Sequence, residues 1–287
     1  MSRVLGTAAL VTGALLLAGC GQHYLLLNPA GPVAKRELGV MLIASIAMAI
    51  VLLAAIGLFA YALWRFRDRP GRSAIYTPEW DGGVRLEVVL FAIPLIIVGI
   101  ISIPVIRQTL SLQRLPQTGN PLVINVTSVD WKWLFEYPKA GIASVNTLEV
   151  PAGVPLLFEL TADSPMNAFW VPQLGGMEYA MPGRVLPLWL EANQPGVYMG
   201  RSANFSGPGF AYMTFSVHAV APTKYAAWVR EVRGTAPALT LTTYRTLLHP
   251  GVVRPAAYSS FPARTFPAQT HGFSLVGGMY QNATVSG

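Results

Sequence analysis

The chain has 287 residues, 53% of them hydrophobic and 11% charged, which is too apolar for an ordinary water-soluble globule. A formal net charge of +7 does not point to nucleic acid, because no Lys/Arg run alternates with aromatics and much of the excess lies beside apolar stretches. With Cys20 as its single cysteine, the chain makes no intrachain disulfide.

Residues 1–19 carry Arg3 and then the neutral stretch VTGALLLAG, the pattern of a secretory signal peptide. The stretch ends in LAGC, which resembles a bacterial lipobox. Cleavage there makes Cys20 the mature N-terminus, with a diacylglyceryl chain on its thiol and an acyl chain on its amine. The alternative for Cys20 is a buried free thiol. Residues 20–37 then form a short periplasmic segment. Residues 38–64 hold no charge and, at about 1.5 Å rise each, suffice to cross a hydrocarbon core of about 30 Å. A second span covers 86–106, uncharged from 88 onward, with Pro94 removing one helical hydrogen bond inside it. The segment between them, 65–85, carries Arg65, Arg67, Arg69, Arg72 and Arg85, against only Lys35 and Arg36 ahead of the first span. Positive charge is retained inside, so this loop is expected in the cytoplasm and both termini outside.

After Gly119 the period changes from helix to strand. In LVINVTSV, Leu122, Ile124 and Val126 alternate with Val123, Asn125 and Thr127, and in DWKWLFEYP the residues Trp131, Trp133, Phe135 and Tyr137 share one face. VPLLFELTA, VLPLWLEA and YMTFSVHAV read as further strands, separated by PAG, NQPG and SGPG turns. An all-β sandwich over 117–222 is expected. In 223–287, KYAAWVREVR suggests a short amphipathic helix. From Gly234 onward there is no Asp or Glu, and Pro237, Pro250, Pro255, Pro262 and Pro267 break the chain. That tail is expected to run extended, draped on a partner, with disorder as the alternative. The fold class is a membrane α+β protein, a two-helix transmembrane hairpin followed by the sandwich.

The motifs SPMNAFWVPQL, YAMPG, ANQPGVYMG and SANFSGPGFAYM, in that order, resemble subunit II of the bacterial haem–copper oxidases, and specifically its quinol oxidase branch of the cytochrome bo type. The similarity runs from the lipobox to about residue 230. It implies that the sandwich is cupredoxin-like. In the cytochrome c oxidase branch that domain holds a two-copper centre with two cysteines, two histidines, a methionine and a glutamate carbonyl. The matching positions here are Asn167 for the first histidine, Ser202 and Ser206 for the bridging cysteines, Asn204 for the glutamate and Phe210 for the second histidine. Met213 alone survives. A thioether by itself does not hold copper against water, so the resemblance implies a sandwich lacking its copper site and a chain without a cofactor.

Other candidates are fewer. Strand alternation puts His218 with Thr214 and Ser216 on an outward face, as a surface residue rather than a ligand, and His23, His249 and His271 have no fixed spacing. Trp131 and Trp133 match a tryptophan-rich relay of the cytochrome c branch. Without an acceptor in this domain, they are expected to serve packing. Glu87, seven residues before Pro94, matches the family glutamate at the cytoplasmic mouth of a proton channel; the family tryptophan three residues later is Leu90 here. Its other reading is a solvated helix-start acid favoured by the N-terminal dipole. No nucleophile with a base, phosphate loop or paired carboxylates is visible, so no catalytic residue is assigned.

The resemblance therefore implies a non-redox subunit of a proton-pumping quinol:oxygen oxidoreductase of the bacterial inner membrane. Haems, copper and the quinol site are expected in subunit I, with subunits III and IV and the lipid bilayer as further partners and no role for cytochrome c. A free-standing membrane-anchored lipoprotein that binds a ligand or acts as a chaperone is the alternative from a different class.

Overall fold

The computed structural model describes residues 24–67, 83–112, 120–163, 165–263 and 265–266, together with two short C-terminal strands. After a 3₁₀ turn at Leu25–Leu27 comes helix α1, Pro32–Arg65, which starts with proline in its first turn, where the missing N–H costs nothing. Helix α2, Val84–Leu112, contains Pro94 and also Pro104. Both helices are longer than the uncharged stretches inside them. At about 1.5 Å per residue each exceeds a hydrocarbon core of about 30 Å. They lie against each other, yet their most apolar windows are wholly exposed in the isolated chain. Side chains such as Leu53 and Phe59, 68% and 66% exposed, would not be left facing water, so these surfaces belong in lipid or against other helices.

Among the described residues the strands follow in chain order: β1 Leu122–Val129, β2 Lys132–Tyr137, β3 Ile142–Val145, β4 Thr147–Pro151, β5 Leu156–Ala162, β6 Asn167–Trp170, β7 Met177–Ala180, β8 Leu186–Leu190, β9 Gly196–Ser202, β10 Thr214–Val220, β11 Ala256–Tyr258, and the separate pair β12 Phe273–Val276 and β13 Met279–Asn282. Two sheets pack face to face, with orders β11-β3-β2-β1-β5-β8 and β4-β10-β9-β6-β7. Pairing is antiparallel except for β1 with β5 and β10 with β4. Alternation supplies the core between the sheets from Ile124 and Val126, Trp133, Phe135 and Tyr137, Leu156, Phe158 and Leu160, Phe169, Phe215 and Val217. Its centre is aromatic. Phe169 and Phe215 stack at 4.9 Å between centroids, and Trp133 meets Phe169 edge-on at 5.3 Å. Gly200 pairs with Phe215 across β9 and β10, and a Cβ there would fall 2.1 Å from the Phe215 ring.

Trp131 departs from the expected strand. Val129 pairs with Lys132, which leaves Asp130 and Trp131 as the two turn residues between β1 and β2, and Trp131 takes a left-handed φ of 62°.

The stretch from 236 to 266 also departs from expectation. Instead of running extended toward a partner, it covers its own sandwich. Helix α3, Pro222–Thr235, is longer than the motif suggested and sets Trp228 edge-on to Tyr137 at 5.5 Å. Helix α4, Leu241–Leu248, is capped by Thr240, whose hydroxyl accepts from the Thr243 amide, and β11 extends the sheet beside β3. Leu239 and Leu247 close a second apolar cluster over Leu134, Ala143 and Val145, the outer-facing residues of β2 and β3. Polar clips reinforce it. Lys132 Nζ donates to the His249 carbonyl at 2.8 Å, Asn146 Nδ2 to the Val253 carbonyl at 2.9 Å, and the Thr265 hydroxyl to Glu136 Oε1.

The start of α1 is joined to the sandwich. The Ala30 amide donates to the Gln173 carbonyl at 2.7 Å, the Ala34 amide to the Leu174 carbonyl at 3.2 Å, and the Asn193 amide to the Ala30 carbonyl at 3.0 Å. In return the Gly176 amide donates to Glu37 Oε1 at 2.9 Å. Val33 is buried against Leu157 and Trp189 on the outer face of β5 and β8. A loop carbonyl thus caps a helix N–H that no side chain of Gly31 could reach, and a helix carboxylate caps the loop.

Candidate functional site

The six positions of interest converge at one end of the sandwich, where β6, the end of β9 and the 203–213 loop meet the β1–β2 turn. Asn167 opens β6, buried, and its Nδ2 donates to Ser128 Oγ at 2.7 Å and to the Pro165 carbonyl at 2.9 Å. Ser202 ends β9, also buried; its hydroxyl approaches Asn167 Oδ1 at 3.2 Å and the Asn204 carbonyl at 3.3 Å. Asn204 Nδ2 reaches the Met166 carbonyl at 3.0 Å. Met213, 1% exposed, accepts the Ser202 amide on its carbonyl at 3.0 Å and points its side chain into the core. Ser128, Asn167, Ser202 and Asn204 therefore form one hydrogen-bonded chain, in which each buried polar group has a partner.

Ser206 and Phe210 are engaged elsewhere on the loop. The Ser206 carbonyl accepts the Trp131 indole N–H at 3.1 Å, while its hydroxyl is buried without a partner among the described residues. Phe210 packs edge-on against Phe205 at 5.7 Å. Trp131 lies flat on the Gly-Pro-Gly turn. A Cβ on Gly209 would fall 2.2 Å from its ring, and Gly207 takes φ 111°, a backbone that favours glycine.

This donor set does not fit copper. Two hydroxyls, a carboxamide and a phenyl ring offer none of the thiolates or imidazoles that hold copper, and the hydroxyl of Ser202 and the amide of Asn167 already bond each other. Among the described residues no group of three or more His, Cys, Asp or Glu side chains comes together. Ser128 was the residue that sequence reasoning missed. A signal existed, because period two places it on the inner face with Ile124 and Val126, where a hydroxyl needs a buried partner.

The remaining candidates sit apart. Glu87 occupies the first turn of α2, exposed in the isolated chain, with its amide bonded to the Gly83 carbonyl at 3.2 Å. His218 is half-buried on the outward face of β10, paired in register with Glu149 of β4. Burial pushes the Glu149 carboxyl up, with His218 opposing that shift. Cys20 lies outside the described residues, as does most of the expected cytoplasmic loop.

Residues 139–220 match the family model of the periplasmic domain of cytochrome c oxidase subunit II. Two apolar helices followed by this cupredoxin-like sandwich define a membrane-bound oxidase subunit of the subunit II class. Over 249 residues the chain is 44% identical to a quinol oxidase subunit 2 of Bacillus cereus, covering 86% of each protein. It is 36% identical over 281 residues to the ubiquinol oxidase subunit 2 of Acetobacter aceti, covering 96% of this chain and 88% of that protein. A cytochrome bo(3) ubiquinol oxidase subunit 2 of Pseudomonas aeruginosa is 37% identical over 250 residues, 86% of this chain and 75% of that protein. The chain belongs to the quinol oxidase subunit 2 family.

Proposed function

We propose that this chain is the non-redox subunit 2 of a proton-pumping quinol:oxygen oxidoreductase, anchored in the bacterial inner membrane with its sandwich on the periplasmic side. The observation that carries the reading is the substituted loop. Asn167, Ser202 and Asn204, which the resemblance matches to copper donors, form a hydrogen-bonded chain with Ser128 instead. A quinol donor that moves within the bilayer explains that substitution, because it needs no electron relay in an outer domain.

In this reading subunit I holds the haems, the copper and the quinol. The exposed faces of α1 and α2 pack on it and on lipid, and the sandwich covers its outer surface, with subunits III and IV completing the complex. Cys20 carries the lipid anchor. Glu87, in the first turn of α2 beside the Arg-rich loop, helps admit protons from the cytoplasm. Its exposure in the isolated chain leaves the carboxylate available to a channel completed by another subunit.

The test is oxygen uptake by the detergent-solubilised complex captured through a C-terminal tag on this chain, offered ubiquinol-1 or reduced cytochrome c. Haem-bearing material that consumes oxygen with quinol alone is the expected result. Activity with cytochrome c would overturn the argument from the missing ligands, and capture of a haem-free chain would turn the reading toward a free-standing lipoprotein.

A further inference from the structure

A buried cation joins two parts of the chain that lie far apart in sequence. Lys132 is 2% exposed, and its ammonium donates to the Asp130 carbonyl at 3.0 Å and to the His249 carbonyl at 2.8 Å. Burial pulls its pKa down, with the nearby Asp130 carboxylate opposing that shift. An ammonium taken out of water is costly unless its partners offset the loss. Beyond Gly234 the chain offers it no acid, only the end of α4. His249 follows the last turn of that helix, where the dipole favours a cation.

The other partner is a strained turn. Asp130 and Trp131 connect β1 to β2, and Trp131 holds φ at 62°, a conformation that a residue with a Cβ disfavours by roughly five- to thirty-fold. Such a residue persists only where its surroundings fix it from more than one side. Lys132 closes over the carbonyl that precedes Trp131, which holds the peptide plane about which that φ turns. On the other side the indole N–H donates to the Ser206 carbonyl at 3.1 Å. The ring then lies on Gly207 and Gly209, whose carbonyls accept the Phe210 and Tyr212 amides at 3.1 Å and 3.0 Å. A continuous set of contacts therefore runs from the end of α4 through Lys132 and Trp131 to the 203–213 loop.

We propose that Lys132 is a positioning residue through which the strap formed by residues 236–266 sets the conformation of the 203–213 loop. The loop holds no charged residue and exposes Phe205 and Tyr212, so its shape depends on the ring beneath it. Loosening the strap opens Lys132 to water, and its ammonium then exchanges the Asp130 carbonyl for solvent. Trp131 loses one of its restraints, and the loop follows. This coupling is independent of what the assembled complex oxidises.

The experiment is hydrogen exchange, read by mass spectrometry, on the intact complex in detergent. Leu247→Ala loosens the strap at its packing on Leu134, Ala143 and Val145, whereas Lys132→Met keeps the apolar stem and removes the ammonium. Each variant should speed exchange at the Phe210 and Tyr212 amides roughly tenfold, the order of the left-handed bias, while the ladder between β1 and β5 stays unchanged. The double variant should exchange there no faster than Lys132→Met, because both changes act through one contact. Faster exchange within α4 of Leu247→Ala beside an unaltered loop would overturn the coupling. Additive effects in the double variant would overturn it as well, by giving Lys132 and the strap separate routes. Acceleration throughout the β1–β5 ladder would reduce Lys132 to general stability and overturn its positioning role.

Discussion

Gly200 is set by one aromatic ring. Phe215 lies across it and stacks on Phe169, so a methyl group on Gly200 displaces the centre of the core rather than a flexible side-chain end. Gly200→Ala is expected to destabilise the sandwich by about 1–3 kcal/mol, seen as earlier thermal unfolding, and an unchanged transition would show that the ring finds another seat. Glu136 is a second case, buried on the outward face of β2 with Oε2 unpartnered among the described residues. Burial raises its pKa, against which the hydrogen bonds from Thr265 and Asn125 act. The folded state therefore holds this proton more tightly than the unfolded chain, whose glutamates titrate near about 4.3. Its contribution to stability is complete below that value and is lost as pH rises through the folded one. Glu136→Gln keeps an acceptor for the Thr265 hydroxyl and removes the titration. Melts of the purified complex between pH 4 and 7 should lose part of their pH dependence; an unchanged profile would assign that dependence to other groups. Glu87→Ala, by contrast, removes an exposed carboxylate rather than a buried one. It should slow quinol-driven oxygen uptake while haem content and subunit recovery stay normal, and full turnover would remove Glu87 from proton entry.

At the scale of elements, the joint between α1 and the sandwich rests on backbone approach. A Cβ on Gly31 would fall 2.3 Å from the Glu191 carbonyl, which is backbone and has nowhere to go, whereas the Glu37–Gly176 hydrogen bond is a single side-chain contact. Gly31→Ala should therefore loosen the joint more than Glu37→Ala, and hydrogen exchange at the amides of Ala30 and Ala34 should accelerate most in the former. Equal exchange in both variants would mean that Val33, packed on Leu157 and Trp189, holds the joint alone. None of these contacts was legible in the sequence, since Gly31, Gly175 and Gly176 earn their meaning only from the loop that meets them. The helices and the strands at 122–129, 132–137, 156–162 and 214–220 were legible, because burial on one side writes itself as a period. The short strands β3, β4, β6 and β7 were not: four or five residues give too few alternations. The tail was misread for a related reason. Its five prolines and missing acids look like loop composition, whereas Leu239 and Leu247, eight residues apart, reveal a buried face only once β2 and β3 supply Leu134 and Val145. The Ser128 bond that closes the hydrogen-bonded chain through Asn167 and Ser202 was not legible either.

Taken as a whole, the sequence sets the arginines of 65–85 between its two apolar helices, the sandwich follows the second helix, and the joint at 28–37 brings the beginning of the first helix to the same sandwich. These constraints reinforce one another. If α1 and α2 both cross the bilayer, the head of α1 and the end of α2 must lie on one side, and the bonds from Ala30, Ala34 and Glu37 to the 171–176 loop require it independently of any charge rule. The positive-inside bias then chooses which side that is. The expected topology places the sandwich outside and the arginine loop inside. Alkaline phosphatase, which is active only after export, should be active when fused after Gly287 and inactive when fused after Gly71. Replacing Arg65, Arg67, Arg69 and Arg72 by neutral residues should weaken the second half of that pattern first, because those charges choose the side, while the joint ties the helix ends to each other and has no preference of its own. Activity at Gly71 with silence at Gly287 in the unaltered chain would invert the orientation; activity at both would break the hairpin.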